Sequence, residues 1–128
     1  MSGEDDETEH GRRAEALRDR TKAYALRVIR FCRSLPDSDE GRVIRRQMLR
    51  SATSVAANYR AACRARSHRE FVAKISVVLE EADETEFWIE LTVDAGLADA
   101  ERTRDLLREA SELVAIFAAS RRTAKRRS

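Results

Sequence analysis

Arginines at helical spacing are the residues of this sequence whose chemistry is easiest to specify. We call five of them the arginine ridge: Arg42, Arg46, Arg50, Arg60 and Arg64. At 100° per residue they fall within a sector of about 80°, on a helix side about 33 Å long. A guanidinium can donate two hydrogen bonds to one phosphate. The ridge therefore predicts binding to the backbone of RNA or DNA.

An equally simple alternative is that the ridge is a solvated or neutralised helix face. The chain carries suitable acids further along, in its predicted third helix: Glu80, Glu81, Asp83, Glu84, Glu90 and Asp94. These acids could come from a neighbouring helix or from a neighbouring subunit. The sequence leaves both alternatives open.

The two ends of the chain have opposite charge, although the formal net charge is only +2. Residues 1–11 form an acidic head, predicted to be disordered, with Glu4, Asp5, Asp6, Glu7 and Glu9. Residues 121–128 form a basic tail with Arg121, Arg122, Lys125, Arg126 and Arg127. The tail would extend a nucleic-acid footprint, but basic tails also serve as solubilising ends.

A stripe of uncharged polar residues flanks the apolar side of the helix that carries the ridge. Polar groups at the margin of a core must find partners, and two acids of the third helix are candidates. The predicted polar network comprises Gln47, Ser51, Ser54, Asn58, Glu84 and Glu86. We expect it to fix the register of two helices rather than to perform catalysis.

No arrangement of residues predicts an enzyme, a metal site or a cofactor. The chain has no paired Glu-x-x-His motifs of a di-iron bundle and no glycine-rich phosphate loop. Cys32, Cys63 and His68 do not follow zinc spacing. We expect both cysteines to be buried packing residues and His68 to lie on the surface.

Two aromatic residues of the third helix point away from its main apolar stripe. Phe87 and Trp88, together with Leu91, form a second apolar strip. A helix with two apolar strips packs on two sides, so these residues predict an interface between copies of the chain. The alternative is that a loop covers one ring and the other is exposed.

Apolar residues at three- and four-residue steps predict four helices that position these groups. We expect helices over about 12–34, 40–65, 67–94 and 99–120 or later. Ser67 and Glu70 form a capping box, Gly96 suits a left-handed helix end, and Asp99 can cap the last helix. Short connections make neighbouring helices antiparallel. The fold class is therefore all-α, an antiparallel up-down four-helix bundle over residues 12–120.

Composition agrees with a single globular domain of 128 residues. The sequence has one Pro and four Gly, which favours a few long helices over many strands. We find no apolar run of the ~20 residues that a membrane span needs, and the acidic start is not a signal peptide. The expected location is the cytoplasm.

The middle third of the chain resembles a known family. The resemblance is carried by Gln-Met-Leu-Arg-Ser-Ala-Thr-Ser-Val-Ala-Ala-Asn over 47–58, by Ser67-His68-Arg69-Glu70-Phe71, and by Glu84. This pattern is similar to that of four-helix bundle proteins encoded in intervening sequences of bacterial large-subunit ribosomal RNA genes. The same family includes the accessory variability determinant of diversity-generating retroelements.

The resemblance implies a four-helix bundle that assembles into a homopentameric ring. For the retroelement branch it also implies a basic surface that binds nucleic acid and a partner reverse transcriptase. The chain departs from the family pattern after Asn58, where Tyr59-Arg60-Ala61-Ala62 replaces Ile-Ala-Glu-Gly. It also has Glu81 where a small Ser is expected.

Overall fold

Four long helices and three short connections make up the described part of the chain. The computed structural model describes the backbone of residues 2–127 and the side chains of residues 8–127. The helices are α1 (Ser2–Arg33), α2 (Asp39–Cys63), α3 (His68–Asp94) and α4 (Ala100–Arg126). Within residues 2–127 there is no strand, and the predicted all-α four-helix bundle is confirmed.

The first helix begins about ten residues earlier than the apolar spacing predicts. α1 starts at Ser2, so residues 2–11 of the acidic head, which was predicted to be disordered, are helical. Acidic side chains near the N-terminus of a helix interact favourably with its positive end. One turn further on, Arg13 pairs with Glu9 at 3.2 Å. Met1 lies outside the described residues.

Polar side chains cap the other three helices at the positions where they begin. Ser38 accepts a hydrogen bond from the Gly41 amide at 3.1 Å, and Ser67 accepts one from the Glu70 amide at 3.1 Å. Asp99 accepts one from the Arg102 amide at 3.2 Å. Each cap satisfies an amide that has no partner inside its helix. The predicted caps at Ser67 and Asp99 are therefore confirmed.

Two glycines allow the connections to be tight. Gly96 has φ +77°, and the following Leu97 amide donates to the Thr92 carbonyl at 3.0 Å, which ends α3 in a Schellman motif. At Gly41 a Cβ atom would lie 2.5 Å from the Pro36 carbonyl oxygen. A glycine is needed there because the chain passes so close to the start of α2.

Each helix packs mainly on the next one in the chain, whereas α1 and α4 share a much smaller contact. Apolar side chains from all four helices fill the centre, among them Val28, Met48, Ile75 and Phe117, each fully buried. The Tyr59 and Phe117 rings lie 5.4 Å apart and join α2 to α4 across the bundle. No helix in the described range has an apolar stretch long enough to cross a bilayer.

Candidate nucleic-acid interface

The arginine ridge lies on the outer face of α2, as its spacing predicts. All five guanidinium-bearing residues of the ridge are exposed, whereas Ile44, Met48, Ala52 and Val55 of the same helix are buried. The structure divides the ridge into arginines that are paired with acids and arginines that are not.

The N-terminal end of the ridge is neutralised by the connection before α2. Arg42 contacts Asp37 at 2.7 Å and Asp39 at 2.6 Å. The neighbouring Arg45 reaches the same Asp37 at 4.0 Å. Exposed ion pairs of this kind contribute little to stability, but they reduce the positive charge available to a phosphate.

The middle of the ridge is neutralised by α3. The Arg50 guanidinium donates to Glu81 at 2.9 Å and also pairs with Glu84. The Arg50 Nε donates to the Gln47 side chain at 3.3 Å. For Arg50 the neutralised-face alternative therefore holds within the chain, because residues 81 and 84 lie opposite it on the adjacent helix.

Three arginines of the ridge have no acidic partner among the described side chains. These are Arg46, Arg60 and Arg64. Arg60 and Arg64 lie in the last turn and at the C-cap of α2. The unpaired part of the ridge is therefore concentrated towards the C-terminal end of α2.

The predicted basic tail belongs largely to the bundle. α4 continues to Arg126, and Ala124 in its last turn is buried. The Arg121 Nε donates to the Ser76 hydroxyl of α3 at 2.9 Å, so Arg121 is held against the neighbouring helix. The His68 Nε2 atom lies 2.8 Å from the Ala124 carbonyl oxygen. The end of α4 therefore lies beside the start of α3.

One end of the bundle collects the unpaired basic residues. The antiparallel order brings the end of α2, the start of α3 and the end of α4 together there. We call this surface the basic end, and its exposed residues are Arg60, Arg64, Arg66, Arg69, Arg122, Lys125, Arg126 and Arg127. Sequence reasoning missed Arg66 and Arg69, which lie at the α2–α3 connection. The topology of the predicted bundle would have placed them beside the tail.

The polar residues of α2 are paired differently from the predicted network. Ser51 and Thr85 are both fully buried, and the Thr85 hydroxyl donates to the Ser51 hydroxyl at 2.8 Å. Asn58 donates to the Ser54 carbonyl of its own helix at 2.9 Å. The sequence pattern did not identify Thr85, because a threonine among apolar positions looks like an ordinary core residue.

The prediction that both acids of the network pair with α2 is wrong for Glu86. Its carboxylate accepts a hydrogen bond from Ser111 of α4. Glu84 does face α2, through Arg50. The two residues are two positions apart on α3, so their side chains point about 200° apart and meet different neighbours.

Only part of the second apolar strip of α3 is exposed to solvent. Phe87 is 51% exposed, but Trp88 and Leu91 are half-buried and pack against the core. Trp88 lies one turn after Thr85, on the side of α3 that faces α2. The rings of Phe87 and Trp88 meet edge to face with centroids 5.0 Å apart. Phe87 is thus the exposed residue of the predicted interface.

The two cysteines differ in their surroundings. Cys32 is buried beside Met48, and burial raises the pKa of its thiol to about 11. Cys63 is only half-buried, and a hydrogen bond to its thiol raises the pKa of Arg18 in α1. In the described part of the chain no group of three or more His, Cys, Asp or Glu side chains is placed to hold a metal ion.

A solved structure with the same fold has a similar sequence. A Bacteroides thetaiotaomicron protein of unknown function from the S23 ribosomal protein family superimposes with a TM-score of 0.78 at 28% identity. The alignment covers 85% of this chain and 97% of that one. No curated protein matches this chain.

A family model also matches most of the chain. It describes the 23S rRNA-intervening sequence protein, and the match extends over residues 16–119, which includes all of α2 and α3 and most of α1 and α4. The part of the resemblance that concerns ribosomal RNA intervening sequences is thereby confirmed. This chain belongs to the 23S rRNA-intervening sequence protein family.

Proposed function

We propose that this protein is a non-enzymatic, self-assembling bundle that binds RNA or DNA through its basic end. The observation that carries the proposal is the concentration of exposed, unpaired arginines where α2 ends, α3 begins and α4 ends. Arginine forks suit phosphate, and several of them on one rigid surface can contact successive phosphates. Arg42 and Arg50 contribute less, because acids of the same chain already pair with them.

The proposal includes a cytoplasmic location, where RNA and DNA are available, and assembly into a ring of identical subunits. The resemblance to the retroelement branch adds a reverse transcriptase as a proposed protein partner. That partner is supported by the resemblance alone, whereas the nucleic-acid surface is supported by the positions of the basic residues.

A binding titration at several salt concentrations tests the proposal. A fluorescent single-stranded RNA and a duplex DNA serve as probes, at ionic strengths from about 50 to 300 mM. Phosphate contacts predict that log affinity falls linearly with log salt, with a slope of about −0.7 to −0.9 per contact. No binding at the lowest salt concentration contradicts the proposal.

Two variants with the same loss of charge locate the surface. The first, R60A/R64A/R122A/R126A, removes four arginines of the basic end. The second, R42A/R45A/R104A/R108A, removes four arginines that already contact acids. We expect the first to weaken binding about 100-fold at low salt and to flatten the salt slope, and the second to change binding much less. Equal losses of affinity in both variants would show that binding depends only on the overall charge of the protein.

Assembly alone is the second candidate function, and the outer face of α3 favours it. Four acids there, Glu80, Asp83, Glu90 and Asp94, are exposed and have no ion pair among the described side chains. Phe87 lies between them and is 51% exposed, and Val77, three residues before Glu80, is 38% exposed. This face is complementary to α2 of another copy, with Arg46 and Arg60 as its cations.

Charge reversal separates the two functions. In R46E/R60E, light scattering reports the assembly and the RNA titration reports binding. Loss of the oligomer supports pairing of the arginines with acids of a neighbour. An intact oligomer that no longer binds RNA supports contact between the arginines and phosphate.

A further inference from the structure

A small open pocket lies on α2, outside its contact with α3. We call it the arginine pocket, and its lining residues are Arg42, Arg45, Arg46 and Leu49. Its volume is about 250 Å³. The Arg45 carbonyl oxygen lies 3.9 Å from the Cys32 sulphur of α1, so the pocket is on the side of α2 that is turned towards α1. Leu49 is half-buried and gives the pocket an apolar base below a cationic rim.

The rim of the pocket has one cation that can still receive an anion. Arg42 pairs with Asp37 and Asp39, and Arg45 reaches Asp37 at 4.0 Å. Arg46 is exposed and has no acidic partner among the described side chains. A carboxylate can therefore bind Arg46 without displacing an existing ion pair.

The outer face of α3 has the opposite pattern, an apolar centre with acids around it. Phe87 is 51% exposed, and Asp83 and Glu90 lie one turn before and one turn after it on the same helix side. Both acids are exposed, and neither has an ion pair among the described side chains. The surface around Phe87 is therefore the chemical complement of the arginine pocket.

The apolar centres of the two patches lie at the same height along the bundle. The Ser51 and Thr85 hydroxyls meet at 2.8 Å, which fixes the register of the antiparallel helices α2 and α3. Leu49 lies two residues before Ser51, and Phe87 lies two residues after Thr85. Because the helices run in opposite directions, both residues are displaced towards the same end of the bundle, by about 3 Å.

The charged residues beside these centres follow the same register. Arg46 and Glu90 each lie five residues from the hydroxyl contact, which is about 7.5 Å along the helix axis. A rotation about an axis parallel to the helices places a second copy beside the first without changing any height. In such an arrangement Phe87 of one copy is level with Leu49 of the next, and Glu90 is level with Arg46.

We propose that Phe87 of one copy enters the arginine pocket of the next copy, and that Glu90 pairs there with Arg46. The contact removes an exposed aromatic ring from water, and guanidinium groups are attracted to the face of such a ring. It joins two different patches, so it repeats from copy to copy. The inference rests on the self-assembly in the proposed function. It uses Arg46 for assembly and leaves Arg60 and Arg64 at the basic end for phosphate.

Reciprocal charge reversal tests the pairing. R46E and E90R each bring like charges together, so we expect each to raise the concentration at which half of the chains are assembled by at least about tenfold. In R46E/E90R every contact again joins opposite charges, because each copy contributes the two residues to different contacts. We expect its half-assembly concentration to return to within about threefold of the wild type. Light scattering over a concentration series measures all four proteins.

The matched control for this recovery is R46E/E80R, which has the same net charge as R46E/E90R. Glu80 is an exposed acid of the same helix, ten residues or about 15 Å from Glu90. We expect no recovery in the control. Recovery in both double variants or in neither, or undiminished assembly in either single variant, overturns the inference. Circular dichroism verifies that every variant keeps its helical content.

Cysteine crosslinking tests the same arrangement without changing the paired residues. Thr53 and Asp83 are exposed, and they lie two residues from the hydroxyl contact on its other side, so they are also level with each other. C63S/T53C is mixed with C63S/D83C and treated with a short bismaleimide, so that the engineered cysteines can be joined only between chains. We expect two-chain products from this mixture and few from C63S/T53C with C63S/D105C, in which the second cysteine is on α4. Equal yields from the two mixtures contradict the proposed contact.

These measurements separate the inference from the proposed function. A wild type that stays a single chain at every concentration shows that the proposed assembly is wrong, and the contact with it. A wild type that assembles as well as R46E and E90R do shows that only the contact is wrong. The RNA titration of R60A/R64A/R122A/R126A reports on nucleic-acid binding independently of either result.

Discussion

At the scale of single residues, ion pairing decides which arginines are available. Arg42 and Arg50 are each held by two acids, whereas Arg60 and Arg64 have none among the described side chains. All four lie on the same side of α2. What distinguishes them is the residue opposite each one on the neighbouring segment.

The buried pair of hydroxyls between α2 and α3 gives a prediction about stability. In T85V the Ser51 hydroxyl loses the donor that lies 2.8 Å away, while side-chain shape is retained. We expect the free energy of unfolding to fall by about 1–2 kcal/mol, because a buried polar group loses a partner. Urea unfolding measures it.

The double variant S51A/T85V is the control for this effect. It removes both hydroxyls, so no unpaired group remains. We expect its loss to be smaller than the sum of the two single losses. Strict additivity would show that the two hydroxyls do not interact.

Cysteine burial gives a prediction about pH. The pKa of Cys32 is raised to about 11 from its ordinary value of 9.0, so the folded chain keeps this proton when the unfolded chain has lost it. Stability is therefore fully present below pH 9 and falls as pH rises towards 11, by about 1.4 kcal/mol per pH unit at most. Burial also raises the pKa values of Tyr24 and Tyr59, which adds to the fall above pH 10.

Urea unfolding between pH 7.5 and 11 measures this dependence. In C32A we expect the free energy of unfolding to fall less steeply with pH, because only Tyr24 and Tyr59 of the three groups remain. In C63A we expect only the part above pH 10 to become shallower, because Cys63 adds to the raised pKa of Tyr59. The same pH dependence in C32A and in the wild type would contradict the assignment.

At the scale of helices, the connections are specified by local chemistry. Ser67, Gly96 and Asp99 act where the sequence predicts them, because caps and left-handed turns depend on residues only a few positions away. The start of α1 is the exception. The periodic apolar residues begin only at Leu17, whereas α1 begins at Ser2. The residues in between are mostly polar, so apolar periodicity could not predict that they are helical.

A pair of glycines tests how the connection before α2 is packed. In G41A the new Cβ would lie 2.5 Å from the Pro36 carbonyl oxygen, so we expect a loss of about 1–3 kcal/mol. In G11A nothing lies within 4 Å of the new Cβ. There we expect a gain of about 0.5–1 kcal/mol, because alanine is the better helix former. Chemical denaturation measures both, and equal effects would contradict the close approach at Gly41.

At the scale of the whole molecule, the bundle has sides of different charge and polarity. The basic end collects cations from three helices, and the outer face of α3 presents acids around Phe87. Such a face suits a heterologous contact, in which a patch on one copy meets a different patch on the next.

Phe87 therefore gives a prediction about assembly. In F87E an aromatic ring that is 51% exposed becomes a carboxylate among acids, so we expect the oligomer to dissociate while the helices stay folded. Light scattering reports the mass, in multiples of the 14.6 kDa chain. L26E changes a residue of α1 that is 44% exposed and should leave the mass unchanged. Retention of the oligomer in F87E would contradict the predicted interface.

The helix count, the bundle and most of the caps follow from the amino-acid pattern alone, because helical periodicity and capping act over three or four residues. The opposite charges of the two chain ends are equally plain from the sequence. The partners of Arg50, Ser51 and Glu86 depend on the register between helices, which no short-range pattern encodes. The basic end itself arises because antiparallel packing brings together segments that are far apart in the chain.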